Sequence, residues 1–290
     1  MNQSGIKVGM CVAYDWEKLR HSLPPIYSTA DRICLSLDRD RRTWAGKPFQ
    51  FDDTGFRDLI AGIDVDRKID IYEDDFHSPA LSPMENDTHQ RQLMAQRLGN
   101  GGWHVQIDVD EYFIDFRGFA AKLHALDRQP GPRSRPYCVH ADWIPLFKRV
   151  DSGYLYVDFG TRKPEQAPIA TNAPQYTECR MTGGKSLQTR SRVIHDTWAR
   201  GETDLRQKLD NWGHTHDFDV NSYLNLWRSL DAHNYQYIRN FHPLYKHNWP
   251  SLELCPANNI EALIEQLGKA APRSGRMPLL GRIGGSKATS

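Results

Sequence analysis

The chain has 290 residues, 39% of them hydrophobic, enough to bury a sizeable core in one large domain. Lys and Arg number 37 against 36 Asp and Glu, and a net charge of +1 gives no basic face for a nucleic-acid partner. The 5 cysteines are odd in number, widely spaced and free of CxxC pairs, which argues against a disulfide framework or a zinc ribbon and for reduced cytoplasmic thiols. No apolar run approaches the ~20 residues of a membrane helix, and the start "MNQSGIKVGMCVAYD" lacks a signal peptide's basic and long apolar regions. A soluble, cytoplasmic protein is expected.

"IKVGMCVAY" (6–14) is an apolar run with β-branched residues, "DWEKLRHSLPPIYSTA" has helical spacing, and "DRICLSLDRD" reads as a second strand. "KIDIYEDDF" offers a third strand. "NDTHQRQLMAQRLGNGG" combines an Asn or Asp cap, an amphipathic body and a Gly stop, a helix feeding into the strand of "GGWHVQIDVDEYF". Such alternation predicts an α/β fold with a largely parallel sheet flanked by helices, whose ligand sits beyond the carboxyl ends of the strands where strand order reverses. From about residue 117 the pattern is less regular. "FRGFAAKLHAL" reads as a helix, "DRQPGPRSRP" as a loop, "YCVHADWIPLFKRV" and "SGYLYVDFG" as strands or a hairpin. "RKPEQAPIATNAP" is rich in Pro, without period, and reads as a loop over the site. "GETDLRQKLDNWG" and "VNSYLNLWRSLDAHN" are two helices joined through "HTHDFD". The tail from 271 to 290 has the Gly, Ser and Pro content of a segment that moves freely unless docked on a partner or membrane.

The strand "HVQIDVDEYF" ends in Asp108, Asp110 and Glu111 beside Tyr112 and Phe113. Carboxylates avoid the interior unless their charge is compensated. Where the chain turns at a strand's end, carboxylates at i and i+2 approach one cation, and a hard divalent ion offsets their repulsion. A solvated strand end is the plain alternative. On the metal reading, removing one of these crowded carboxylates relieves repulsion in the metal-free protein.

"DTHQRQLMAQRLGNGGWHVQIDVDEYF" resembles the nucleotide-binding core of GT-A (Rossmann-like) glycosyltransferases, near the family 2 type, in which a helix with Arg precedes D-x-D-E. The likeness covers roughly residues 6 to 116. It implies a mixed, mostly parallel sheet, with a nucleotide-sugar-binding half over 1–116 and an acceptor-binding half of the same domain over 117–270. Asp108 and Asp110 would hold Mn²⁺ or Mg²⁺ against the donor diphosphate, with Val109 between them at the nucleotide sugar. Ala13, Tyr14 and Asp15 correspond to the loop that grips base and ribose, with Tyr14 either stacking on the base or packing at a strand end. Asp38 matches a position that hydrogen-bonds base or ribose, although "RDRRT" follows it in place of the usual serine-rich loop. Arg91 sits where a basic residue faces the nucleotide. Members of the fold add a histidine ligand from beyond the acceptor region, which singles out His195 in "SRVIHDTWAR", with His242 as rival.

"NWGHTHDFD" clusters Trp212, His214, His216, Asp217 and Asp219, and an indole face with carboxylates suits a pyranose. Asp217 is the candidate base for an acceptor hydroxyl, with Asp142 and Glu178 competing. The resemblance thus implies a metal-dependent enzyme moving a sugar from a nucleotide donor, a UDP-sugar, to a hydroxyl of a glycan or lipid-linked glycan. Cell-surface polysaccharide biosynthesis is the setting, and the tail allows peripheral association with the inner face of a membrane. Two other readings stand beside it: a nucleotidyltransferase, which calls for a glycine-rich phosphate loop that "VAYDWEKLRHSL" lacks, and a non-catalytic glycan-binding protein, which calls for loss of a ligand where both Asp108 and Asp110 are present.

Overall fold

A computed structural model of the chain describes residues 4–127, 135–211, 217–245 and 247–269. The first half is built on four parallel strands, β1 (Ile6–Val12), β2 (Arg32–Asp38), β3 (Ile69–Asp74) and β4 (Trp103–Asp108). β1 is covered on both faces, which is why it reads as a continuous apolar run. Val8 and Met10 enter the main core with Ile33 and Leu35, whereas Cys11 and Cys34 face Met94 and Leu98 of a helix on the other side.

Two helical expectations shift. "DWEKLRHSLPPIYSTA" forms a 3₁₀ turn (Trp16–Lys18) and then two single-turn helices, α1 (Leu19–Ser22) and α2 (Pro24–Tyr27), the last two separated because the Pro24–Pro25 pair lacks the N–H groups a continuous helix needs. After α3 (Asp53–Ile63), which leads into β3, helix α4 (Pro83–Leu98) begins before the expected Asn or Asp cap. Its cap is Ser82, which accepts from Glu85 N–H while the Glu85 carboxylate accepts from Ser82 N–H. Asn86 is instead buried, bonding the backbone of Ser78 and Trp44. The Gly stop stands: Gly99 closes the helix at φ 78, a conformation open to glycine.

The short β5 (Glu111–Phe113) and α5 (Phe116–Asp127) follow β4. β6 (Tyr137–Val150) and β7 (Gly153–Asp158) form the expected hairpin. The stretch expected as a loop contains β8 (Gln166–Thr171), inserted antiparallel between β6 and β4. Its Pro168 pairs at an irregularity in the β6 ladder, where a missing N–H is tolerated, and Ala167 and Ile169 are buried. β9 (Tyr176–Glu178) and β10 (Met181–Thr182) make a small hairpin, and β11 (Lys185–His195) runs parallel to β6 and antiparallel to β5. Then come α6 (Glu202–Asn211), α7 (Val220–Ser229), β12 (Ser251–Cys255) and α8 (Ile260–Lys269).

The result is a mixed, Rossmann-like sheet in the order β12-β7-β6-β8-β4-β1-β2-β3, with β11 and β5 joined through β6, flanked by helices. Much of the Trp content is structural: Trp198, Trp227 and Trp249 pack with Phe147 and Tyr223 in a second core cluster. No helix among the described residues is long and apolar enough to cross a membrane. The chain leaves β1 toward β2 on one side and returns through β4 on the other, so strand order reverses at β1/β4. In register, Cys11 lies opposite Asp108, which opens a crevice between the loop after β1 and the turn after β4.

Candidate functional site

That crevice is a cavity of about 430 Å³, in the range of small-molecule sites. Ala13, Tyr14, Asp15, Asp38, Arg91, Asp108, Val109, Asp110 and His195 all line it, so residues spread over 180 positions of sequence share one space.

The acidic turn is rigidly held. Glu111, wholly buried, takes Arg180 Nη1 and Nη2 at 2.6 and 2.9 Å, the Trp143 indole N–H at 2.9 Å, and the backbone N–H of Asp108 at 2.9 Å. Both carboxylate oxygens are therefore committed to shaping the turn. Asp108 Oδ1 accepts from Arg91 Nη2 at 2.7 Å, and Arg91 reaches back to Asp87 at 2.6 Å. Burial opposes ionisation of Asp108, but Arg91 and then Arg180 outweigh it and hold its pKa below the ordinary value. Asp110 Oδ2 accepts from Arg200 Nη2 and, at 2.5 Å, from Lys208 Nζ, with His195 Nε2 3.9 Å away. Here burial is outweighed by Lys208, then Arg200, then His195, leaving the pKa well below the ordinary range. Arg200 also bonds Asp15 at 2.9 Å, tying the loop after β1 to the acidic turn.

The charge that allows these carboxylates inside the protein is thus supplied by Arg91, Arg180, Arg200 and Lys208. This corrects the expectation that removing a carboxylate relieves repulsion: Arg200 is as buried as Asp110, and would lose one of its two carboxylate partners. Arg200 and Lys208 lie 90 and 98 residues from Asp110, and nothing in the sequence signals the pairing.

His195 reaches the turn because β11 pairs with β5, placing it opposite Glu111. Its ring lies 4.5 Å from that of Trp143, and burial lowers its pKa, so the imidazole is neutral near pH 7. Two ionised carboxylates and a neutral imidazole are chemically apt for Mn²⁺ or Mg²⁺. Among the described residues, however, no group of three or more His, Cys, Asp or Glu is gathered to hold a metal, and Asp110 Oδ2 already serves two cationic side chains. The rival His242 also lines the cavity, but its Nδ1 accepts the backbone N–H groups of Leu244 and Tyr245, both at 3.0 Å.

Other expected residues have structural duties. Asp38 receives the backbone N–H groups of Asp40, Arg42 and Phe76 at 3.0 to 3.1 Å, so much of its hydrogen-bonding capacity shapes the loop after β2. Tyr14 packs edge-on against Phe49 at 6.2 Å while still lining the cavity. Arg91 has no exposed surface and acts on Asp108. Asp217 is exposed and does not line the cavity; neither does Asp142, which accepts from Gln166 at 2.8 Å, nor the exposed Glu178. Asp219 caps α7 by accepting from Ser222 N–H at 3.0 Å. Trp212, His214, His216 and the tail from 271 lie outside the described residues.

Residues from the irregular second half close the cavity. Trp143, Trp249, His242 and Tyr245 line it beside Glu165, whose Oε2 accepts from the Trp249 indole N–H at 3.0 Å. Glu165 sits in the Pro-rich stretch read from sequence as lying over the site, although no spacing marked it as chemical.

No protein-family model matches the chain, and neither does any curated protein. Among solved structures, the chain is similar to a crystal structure of 4-diphosphocytidyl-2C-methyl-D-erythritol synthase, at 9% identity and a TM-score of 0.36, over 72% of this chain and 98% of that one. At that level the similarity adds nothing to the reading of the site, which rests on the chain's own geometry.

Proposed function

We propose that the protein is a glycosyltransferase that moves a sugar from a nucleotide donor, a UDP-sugar, to a hydroxyl of a glycan or lipid-linked glycan. The observation that carries this reading is the convergence, at the β1/β4 reversal, of Asp108 and Asp110 with the Tyr14–Asp15 loop on one side and an aromatic wall on the other, around one cavity. Transfer needs those three parts: a grip on the nucleotide, compensation for charge developing on the diphosphate, and a face for the second sugar. Arg91 and Arg180 fix the carboxylates, and Arg200 couples them to the nucleotide loop through Asp15.

Asp108, Asp110 and His195 are the residues that would hold Mn²⁺ or Mg²⁺, whose charge would offset that growing on the departing diphosphate. Lys208 and such an ion compete for the same oxygen of Asp110. The residues over 1–116 then serve the donor together with His195, Arg200 and Lys208, and the remainder of 117–270 serves the acceptor, within one continuous sheet.

The test is a thermal-shift screen of UDP-, GDP- and CDP-sugars with and without Mn²⁺, since a ligand that binds the native state raises apparent stability by mass action. The reading expects the largest shift with a UDP-sugar, a shift that depends on Mn²⁺, and release of UDP on incubation. Equal shifts with all three bases remove the donor assignment. Release of pyrophosphate from a nucleoside triphosphate, with no turnover of any nucleotide sugar, would replace the reading with nucleotidyl transfer.

A further inference from the structure

We propose that Glu165 is the general base that takes the proton from the attacking acceptor hydroxyl, held for that task between Trp143 and Trp249. The assignment rests on the glycosyltransferase reading and deepens it.

Six acidic side chains line the cavity: Asp15, Asp38, Asp87, Asp108, Asp110 and Glu165. Five have a basic partner. Asp15 is bound to Arg200, Asp38 to Arg42, Asp87 and Asp108 to Arg91, and Asp110 to Arg200 and Lys208. A carboxylate whose lone pairs are taken by guanidinium or ammonium groups is a poor proton acceptor. Glu165 alone of the six has no ion pair among the described residues. Its Oε2 accepts from the Trp249 indole, which fixes the carboxylate, and no residue among those described donates to its Oε1.

The position is held from both sides. The Trp143 N–H bonds the Glu165 carbonyl at 2.8 Å, so β6 pins the backbone, while Trp249 pins the side chain. The Trp143 ring lies 4.5 Å from that of His195, and His195 is 3.9 Å from Asp110, so the residue that pins the Glu165 backbone also reaches the acidic turn, and the Glu165 side chain lines the same cavity. Burial raises the Glu165 pKa against the opposing Trp249 hydrogen bond, which makes its anion a stronger base than an ordinary glutamate. The titratable groups around the two indoles include His242, whose ring lies 4.6 Å from Trp249, His195 at 4.5 Å from Trp143, and Asp142, paired in register with Gln166.

The step balances as a single displacement. The acceptor O–H proton passes to Glu165, the freed oxygen pair forms the bond to the anomeric carbon, and the bond from that carbon to the phosphate oxygen breaks, its electron pair leaving with the nucleoside diphosphate. Glu165 then returns its proton to water.

The experiment measures UDP release from UDP-glucose, UDP-galactose and UDP-N-acetylglucosamine, with water and with methyl glycosides as acceptors, in full-length protein. Glu165→Gln keeps the shape and can still accept from Trp249. It is expected to lose on the order of a hundredfold or more in turnover, with a melting temperature no lower than the parent's and unchanged thermal shift by the same donors. Glu165→Ala is expected to regain activity with added formate, which a purely structural role would not produce. Retention of most turnover by Glu165→Gln, or loss of turnover confined to Asp217→Asn, overturns the assignment while leaving the transferase intact. Absence of UDP release by the unmodified protein with every donor overturns the transferase reading itself, and this inference with it.

Discussion

Replacing Glu111 with Leu leaves the Arg180 guanidinium, whose side chain is 4% exposed, without the carboxylate that binds both its terminal nitrogens. Removing one partner of such a buried pair typically costs about 3 to 5 kcal/mol. The same change strips the acceptor from the Trp143 indole and from the Asp108 N–H, each worth about 1 kcal/mol. Arg180→Met alone leaves the reciprocal unpaired carboxylate at a wholly buried position and should cost a comparable amount. The double variant, Glu111→Leu with Arg180→Met, buries no lone charge. It should sit only about 2 kcal/mol below the parent, the residue of the two lost hydrogen bonds. The cycle therefore predicts a coupling energy of about 6 kcal/mol or more. Urea denaturation followed by tryptophan fluorescence gives the three differences, provided the slope of the transition is unchanged. Additive losses, with a coupling below about 0.5 kcal/mol, would refute the claim that this pair compensates charge under the acidic turn.

Asp110→Ala should lower the melting temperature of the metal-free protein, because buried Arg200 is left with Asp15 alone; a rise would restore the picture of crowded, repelling carboxylates. Lys208→Met, which frees Asp110 Oδ2 of one competitor, should tighten Mn²⁺ binding measured by calorimetry, and weaker binding would remove the metal from the proposal. Ser82→Ala breaks the capping box of α4 and should destabilise the protein by about 1 kcal/mol in the same urea assay, a cost that a cap replaced by water would not show. Because burial raises the folded pKa of Glu165 above its unfolded value, its contribution is full below the ordinary glutamate pKa and is lost as pH rises through the folded one. Glu165→Gln escapes that loss, so its urea midpoint relative to the parent should rise as pH is raised from below the ordinary glutamate pKa to neutrality; a constant difference would show that the site does not perturb this carboxyl.

The local code was enough for the parallel half. Apolar runs such as 6–12 and 32–38 were legible as buried strands because each residue's surroundings follow from alternation and sheet burial alone. The same logic located the crevice, since strands separated by helices leave their carboxyl ends on one edge, and with it Asp108 and Asp110. Elements stabilised by partners distant in sequence were not legible. β8, with its Pro168 and weak period, is a strand only because β4 and β6 flank it. The cap of α4 was misplaced because Asn86 and Ser82 both fit the local pattern, and only burial of Asn86 against Trp44 decides between them. Above all, the sequence showed carboxylates where charge is costly and could not show what compensates them. Arg200 and Lys208 reach Asp110 only after β11 has paired with β5 and turned the chain back across the crevice. Coulomb attraction acts through space rather than along the chain, so the partners of a buried charge are set by the fold.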